Sequence, residues 1–310
     1  MYHVSLKVIL AFAGLAMITA ITPSSAADSA LQKFVGAKPE TFAKPDEALE
    51  ALKQGLDKAD VEGLARLLGL NVDAARKSED FDQRLMELQQ AAKQKAALED
   101  EEDGSKDVIL GDLAWPFPFP LVQERDRWQF DTLRGLEEVL ARRVGENELE
   151  AIRTLENYLI AQLVYALQDR DGDSVKEFAQ QLISDEGTRN GLYWPATDGE
   201  ESPAGSFGDP GKVQGSAATD HGYYGYRFRI LKSQGSNIAG GKYDYVINGN
   251  MIAGHAVVAW PAIYGETGIM TFVLSHQGVI YEKDLGRATD RAVKEIRSFN
   301  PDKSWEPVEE

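Results

Sequence analysis

The chain contains no cysteine. That excludes a disulfide framework, a zinc-thiolate site and a thiol nucleophile, so its cores hold by packing alone. Histidine is scarce: besides His3 near the N-terminus there are only His221, His255 and His276, too few and too scattered for a His-rich metal centre. Basic residues are outnumbered, with 33 Lys plus Arg against 50 Asp plus Glu and a formal net charge of −17. Such a field repels nucleic acid and anionic lipid headgroups, which require basic surfaces, and attracts cations. Also missing is any apolar run of about 18 residues, the length expected of a spanning helix. No internal repeat is visible, and no Gly-x-Ser-x-Gly elbow of the kind that positions a nucleophilic serine.

What is present begins with a leader. Lys7 gives a short basic start, Val8 to Ile21 is almost wholly apolar, and Ser24-Ser25-Ala26-Ala27 supplies small residues before a cleavage point. Residues 1–27 therefore read as a signal peptide, and the mature chain is expected to be soluble and periplasmic or secreted, with no membrane anchor after cleavage. Removing the leader takes away only Lys7 among the charged residues, so the mature chain is more acidic still. The remainder is long enough for two domains at about 100 to 200 residues each.

Periodicity predicts an α+β fold. Pro45 opens a helix over 46–58 carrying Ala48, Leu49, Leu52 and Leu56; Asp60 caps a second over 61–68, which Gly69 closes. A third follows Ser78 with Phe81, Leu85, Leu88 and Ala92 on one stripe. Its last turns run into Glu99 to Gly104, a like-charge block expected to be a solvated connector. From Val108 the pattern turns to strand. Trp115-Pro116-Phe117-Pro118-Phe119-Pro120 has proline at every second position, which suits an extended edge or a polyproline II segment and not a central strand. Trp128 to Phe130 alternates like a strand.

Two helices are then expected, over 137–143 and 146–168, separated by Gly145, the second burying Leu149, Ile152, Leu155, Leu159, Leu163 and Ala166. A further helix is expected over 174–183, and 184–219 reads as a long loop rich in Gly, Pro, Asp and Ser. Four strands follow, within 224–230, 253–261, 269–275 and 278–283, and a helix over 290–299. The domain reading is an N-terminal α+β domain over 28–145 and, over 146–310, a long helix packed on an antiparallel sheet.

The sharpest local motif is Asp169-Arg170-Asp171-Gly172-Asp173. Three carboxylates at alternate positions, with Glu177 beyond them, could offer the oxygen-rich cage that Ca²⁺ prefers. Ser174 stands at the EF-hand glycine position and Gln180 at that of the closing glutamate, so the loop is a variant at best. The other reading is a turn between helices in which Ser174 and Glu177 form a capping box. Arg142 and Arg143 among Glu137, Glu138, Glu146 and Glu148 read either as an anion site or as an ion-paired helical surface. Tyr193, Trp194, Tyr223 and Tyr224 flank the long loop, as loop anchors or as stacking surfaces. The histidines give no catalytic assignment. His255 reads as a packed or rim residue of an apolar strand and His276 as a turn residue.

Several stretches together resemble a family of exported bacterial proteins of unknown function: 42–48, Trp115 to Val122, Trp128-Gln129-Phe130-Asp131, Arg142-Arg143-Val144-Gly145-Glu146-Asn147-Glu148, 169–173, 191–195 and 268–273. The resemblance spans nearly the full length and implies no reaction. Residues 146–285 also resemble the soluble part of type IV pilins and pseudopilins, through Ala161-Gln162 on the long helix and Tyr224 to Phe228, Ala259-Trp260-Pro261, Thr267-Gly268 and Gly278 to Ile280 on strands. In pilins, however, that helix continues from a membrane-seated N-terminus, so only the architecture would carry over. Residues 42–70 resemble the opening helices of cone-shaped folds of the nuclear-transport-factor type. The expected function is a non-enzymatic envelope protein that binds a partner or assists an assembly; the alternative is a hydrolase acting on cell-envelope polymers, with His221 and His276 at its site.

Overall fold

The structure, a computed structural model, describes residues 31–77, 81–196, 201–205 and 222–309. The expected leader, Ser78 and His221 lie outside the described residues. Helix α1 (Pro45–Asp57) starts where proline's fixed φ suits the first helical position. The Glu47 carboxylate accepts the backbone N–H groups of Ala43 and Lys44 at 3.1 and 3.4 Å. Helix α2 (Val61–Leu68) is capped by Asp60, which accepts from Gly63 N at 2.9 Å, and ends at Gly69 with φ 71°. A short α3 (Val72–Ala75) and α4 (Phe81–Gln94) follow. The buried faces of α1 and α2, Ala48, Leu52 and Leu56 with Leu64, Leu67 and Leu68, form one core with Val108, Leu110, Leu121 and Phe130 of the adjoining sheet.

That sheet is antiparallel: β1 (Ala96–Asp100), β2 (Lys106–Leu110), β4 (Leu121–Glu124) and β5 (Arg127–Phe130) lie side by side, with the two-residue β3 (Trp115–Pro116) also paired to β2. The acidic block is not simply a connector. Glu99 and Asp100 belong to β1, paired with Asp107 and Lys106, and only 101–104 turns. An edge strand tolerates charged side chains because one of its flanks faces water.

Residues 132–165 form a single helix, α5 (Thr132–Tyr165), of 34 residues where two were expected. Asp131 caps it by accepting from Arg134 N at 3.1 Å. Gly145 costs a helix interior only about 1 kcal/mol relative to alanine, and packing at both ends of α5 outweighs that. Its first turns bury Leu136 in the first core, and its last four turns bury Ala151, Leu155, Tyr158, Ala161 and Tyr165 in a second. The buried stripe is rotated from the expected one: Leu149 is 41% and Leu163 61% exposed, while Ile152 and Leu159 are half-buried. Apolar residues ring this part of the helix, so spacing finds Leu155 but sets the stripe's centre to one side of the buried face.

No helix forms over 174–183. The chain runs extended into β6 (Gln181–Ile183), parallel to β7 (Gly191–Tyr193) within the segment read as loop. The second sheet uses β8 (Tyr226–Leu231), β13 (Ala256–Pro261), β14 (Met270–Ser275), β15 (Ile280–Asp284) and β16 (Glu306–Pro307), in the order β16-β15-β14-β13-β8 and antiparallel throughout. Short pairs β9 (Ser233–Gln234) with β10 (Tyr243–Asp244), and β11 (Val246–Ile247) with β12 (Asn250–Met251), decorate its end. Val257, Ala259, Phe272 and Leu274 face α5; Ala256, Val258 and Val273 face Val293 of α6 (Thr289–Glu295) and Phe299. The central strands are buried on both faces, which explains their nearly continuous apolar sequence. No helix among the described residues is long and apolar enough to cross a membrane.

Replacing Leu155, fully buried, by alanine should cost about 2–5 kcal/mol in denaturant unfolding. Leu163→Ala, at a position 61% exposed on the same helix, should change stability by no more than about 0.5 kcal/mol. A second prediction concerns Glu282, which lies opposite Glu306 across β15 and β16. Burial first, then the charges of Glu148 and Glu306, raise its pKa above the ordinary carboxylate value. A raised carboxylate pKa means that the folded state holds its proton longer than the unfolded chain. Stability is therefore lost as pH rises from the unfolded value of Glu through the folded one. Glu282→Gln should be more stable than wild type in thermal melts at pH 7, and the gain should shrink towards zero below about pH 4.

Candidate functional site

The end of α5 gathers most of the polar chemistry. Within the buried helix face sits Gln162, fully enclosed, whose amide works in both directions: Nε2 donates to the Tyr158 hydroxyl (3.1 Å) and to Ala179 O (2.9 Å), and Oε1 accepts from Ala179 N (2.8 Å). Tyr158 in turn donates to Ala256 O at 3.1 Å. This network straps the extended 175–180 segment beneath the helix and joins both to the sheet. A lone glutamine in the apolar run Tyr158 to Ala166 was the sequence signal for it.

Beyond the strap, the three aspartates form a tight turn. Asp169 accepts from Gly172 N at 2.8 Å and Ser174 N at 2.9 Å, and these two bonds, Gly172 first, hold its pKa below the usual value. Gly172 and Ser174 adopt positive φ, 81° and 72°, to turn their N–H groups inward. Asp173 accepts from Val175 N (2.7 Å) and Asn250 Nδ2 (2.6 Å), and Asp171 accepts a long 3.3 Å bond from Asp173 N. One oxygen from each of Asp169, Asp171 and Asp173 falls within 4.8 Å of the others. Glu177 is not in that cluster: its carboxylate accepts from Met251 N at 2.7 Å and Gln180 Nε2 at 3.3 Å. The expected Ser174–Glu177 capping box is absent, since no helix begins there.

Next to the turn opens a cleft of about 840 Å³. Tyr165, Asp171, Glu177, Gln180, Arg189 and Lys232 are among the residues lining it. The Tyr165 hydroxyl donates to Arg189 O at 2.9 Å, and burial foremost pushes its pKa up to about 12, so it stays protonated as a donor. Lys232 Nζ donates to Gln180 Oε1 (3.0 Å), while Gln180 Nε2 donates to Gly249 O (2.6 Å). Arg170 and Arg189 both stack on Trp194, at 5.1 and 5.8 Å from the ring. Trp194 and Tyr193 are buried, 6% and 5% exposed, which makes them anchors for the loop. Tyr223 and Tyr224 stack edge to face on each other at 4.7 Å.

The histidines separate into different roles. His255 lies just before β13, 2% exposed, with ring contacts to Phe178, Tyr158 and His276. Burial first, then His276, depresses its pKa to about 3, so it is neutral at any physiological pH. Its Nδ1 is enclosed without a hydrogen-bond partner. His276 is exposed in the turn after β14, its ring 6.0 Å from that of His255, and its N–H donates to His255 O.

The stretches that carry the family resemblance act as latches. Arg142 donates to Glu138 (2.7 Å) and to Pro116 O (2.9 Å) and stacks on Trp115 at 4.8 Å, contacts of the kind the ion-paired surface implies. Asn147 Nδ2 donates to Thr267 O at 2.9 Å. Glu148 accepts from Ile269 N (2.8 Å) and Met270 N (3.0 Å) at the start of β14, and the Tyr226 hydroxyl donates to Met270 O (2.9 Å) beside it. One short stretch of α5 thus grips both sheets. No curated protein and no solved structure matches the chain. A family model described as "Protein of unknown function (DUF2950)" matches residues 39–308, and the chain belongs to that family.

Proposed function

We propose that this chain is an exported envelope protein, periplasmic or secreted, that binds a polar partner in the cleft at the end of α5 and is stabilised there by calcium. The observation that carries this reading is the cleft itself: cations, carboxylates and amides are brought to one concave surface, an arrangement suited to holding a hydrogen-bonding polymer segment. Asp169, Asp171 and Asp173 would ligate the ion, with Glu177 in the cleft wall instead of the coordination shell. Asp171, the least engaged of the three, has most to gain from a cation. The domain reading goes with it: two α+β units meeting near residue 145, joined by α5. A long helix on consecutive antiparallel strands is the feature that supports likeness to pilin soluble domains and a role in assisting assembly.

Chelator-treated protein should melt higher when Ca²⁺ is added, by the equivalent of about 2.7 kcal/mol when calcium is a hundred times its Kd. Mg²⁺ should do less, since it dehydrates reluctantly and prefers a tighter octahedron. The Asp171→Asn, Asp173→Asn double variant keeps the carbonyl oxygens the turn needs and should lose the shift. Equal responses to Ca²⁺, Mg²⁺ and matched ionic strength would remove calcium from the proposal. For the cleft, Lys232→Ala with Gln180→Ala should weaken retention on purified cell-wall polymer while the protein stays folded. Cleavage of that polymer by the wild-type protein would replace binding with the hydrolase reading.

A further inference from the structure

The outer side of the last turns of α5 is apolar and uncovered. Ile160, Leu163 and Val164 stand at i, i+3 and i+4, and Leu167 continues the row in the turn after the helix; they are 45%, 61%, 38% and 67% exposed. Exposed leucines one by one need no explanation, but four in a row on one helix face form the seam that packs against another helix. The charges around the seam define what fits it. Glu156, exposed one turn before Ile160, closes one end, and the exposed Asp169, Asp171 and Asp173 close the other. Arg153, the cation on this face, is already paired with Glu150.

We infer that this seam docks an amphipathic helix of a partner protein, with leucine-like residues at i, i+3, i+4 and i+7 and lysine or arginine at both ends. Apolar burial supplies the affinity, and the flanking carboxylates set the sign of the partner and its register. A second copy of this chain fits poorly: pairing two seams would bring glutamate and aspartate of one copy against those of the other, on a protein already at −17. The apolar row shares no side chain with the cleft, although Asp171 borders both, and the aspartates flank the seam as anions when no cation is held among them, so the test is made on chelator-treated protein.

The test uses residues 28–310 and three synthetic 14-residue peptides: leucine and lysine in amphipathic order, the same composition scrambled, and leucine with glutamate in amphipathic order. Calorimetry should show the first bound at least about tenfold more tightly than either control, a difference of about 1.4 kcal/mol. Leu163→Asp with Leu167→Asp should remove that preference while the protein stays folded, because both side chains are exposed, and Glu156→Lys should weaken it separately. Lys232→Ala should leave it intact. Equal binding of the scrambled peptide, or undiminished binding by the aspartate variant, would overturn the inference. So would sedimentation showing a dimer of the chain alone that the same variant disperses.

Discussion

The structure depends on one helix serving two cores. A helix of 34 residues is about 50 Å long, more than one small core can cover, so its two ends are buried in different places. What fixes the relation between them is the grip near its middle. Arg142 holds the Trp115–Pro116 edge of the first sheet, and within two turns Asn147 and Glu148 hold the start of β14 in the second. Glu148 is effective because it accepts two successive backbone N–H groups at the mouth of a strand, where the ladder leaves donors unpaired. The stretch Arg142 to Glu148, which carries family resemblance, is thus explained by mechanics without any appeal to catalysis.

The same grip has an electrostatic cost that the sheet absorbs. Glu148 brings a charge close to Glu282, which already faces Glu306 across β15 and β16, and the raised pKa of Glu282 records the crowding. Two of these acids lie near the end of a sheet whose interior is apolar on both faces. Packing of Val257, Phe272 and Leu274 against α5 outweighs the repulsion, as burial usually outweighs a partly solvated like-charge pair.

How far the sequence was legible follows from how local each signal is. The proline start of α1, the Asp60 cap of α2, the closing Gly69 and the hairpin-linked strands β13 to β15 are set by neighbouring residues, and they stand where local sequence placed them. Gly145 misled because helix propensity is a weak local preference and the contacts that override it are distant in the chain. The buried face of α5 was misjudged for another reason: leucine spacing cannot distinguish a face that meets a sheet from one that meets a partner or water, and Leu163 is of the second kind. The aspartate turn was visible as a cluster, but its hydrogen bonds were not, since Ser174 serves through its backbone at positive φ and Glu177 through a strand remote in sequence. The cleft was invisible, because its walls come from five separated stretches with no common pattern.

The place where local rules fail is therefore informative. A helix C-terminus carries the equivalent of about half a negative charge, and sequences ordinarily set lysine or arginine near it. Here the last turn of α5 has no basic residue, and three aspartates follow within eight residues of Tyr165. The Arg170 guanidinium donates to Tyr165 O at 3.2 Å, beside the backbone N–H of Gln168 at 3.4 Å. The turn survives by turning its own backbone N–H groups onto the carboxylates, with Asn250 Nδ2 adding a bond to Asp173 from a distant strand. Neutral residues would have made the same turn at lower electrostatic cost. Departures of this sort from local optimum collect at functional sites, where stability is given up for an interaction with something outside the chain. That the cleft, the uncovered apolar seam and the acidic turn all adjoin this one helix end argues that the second core is built to present it.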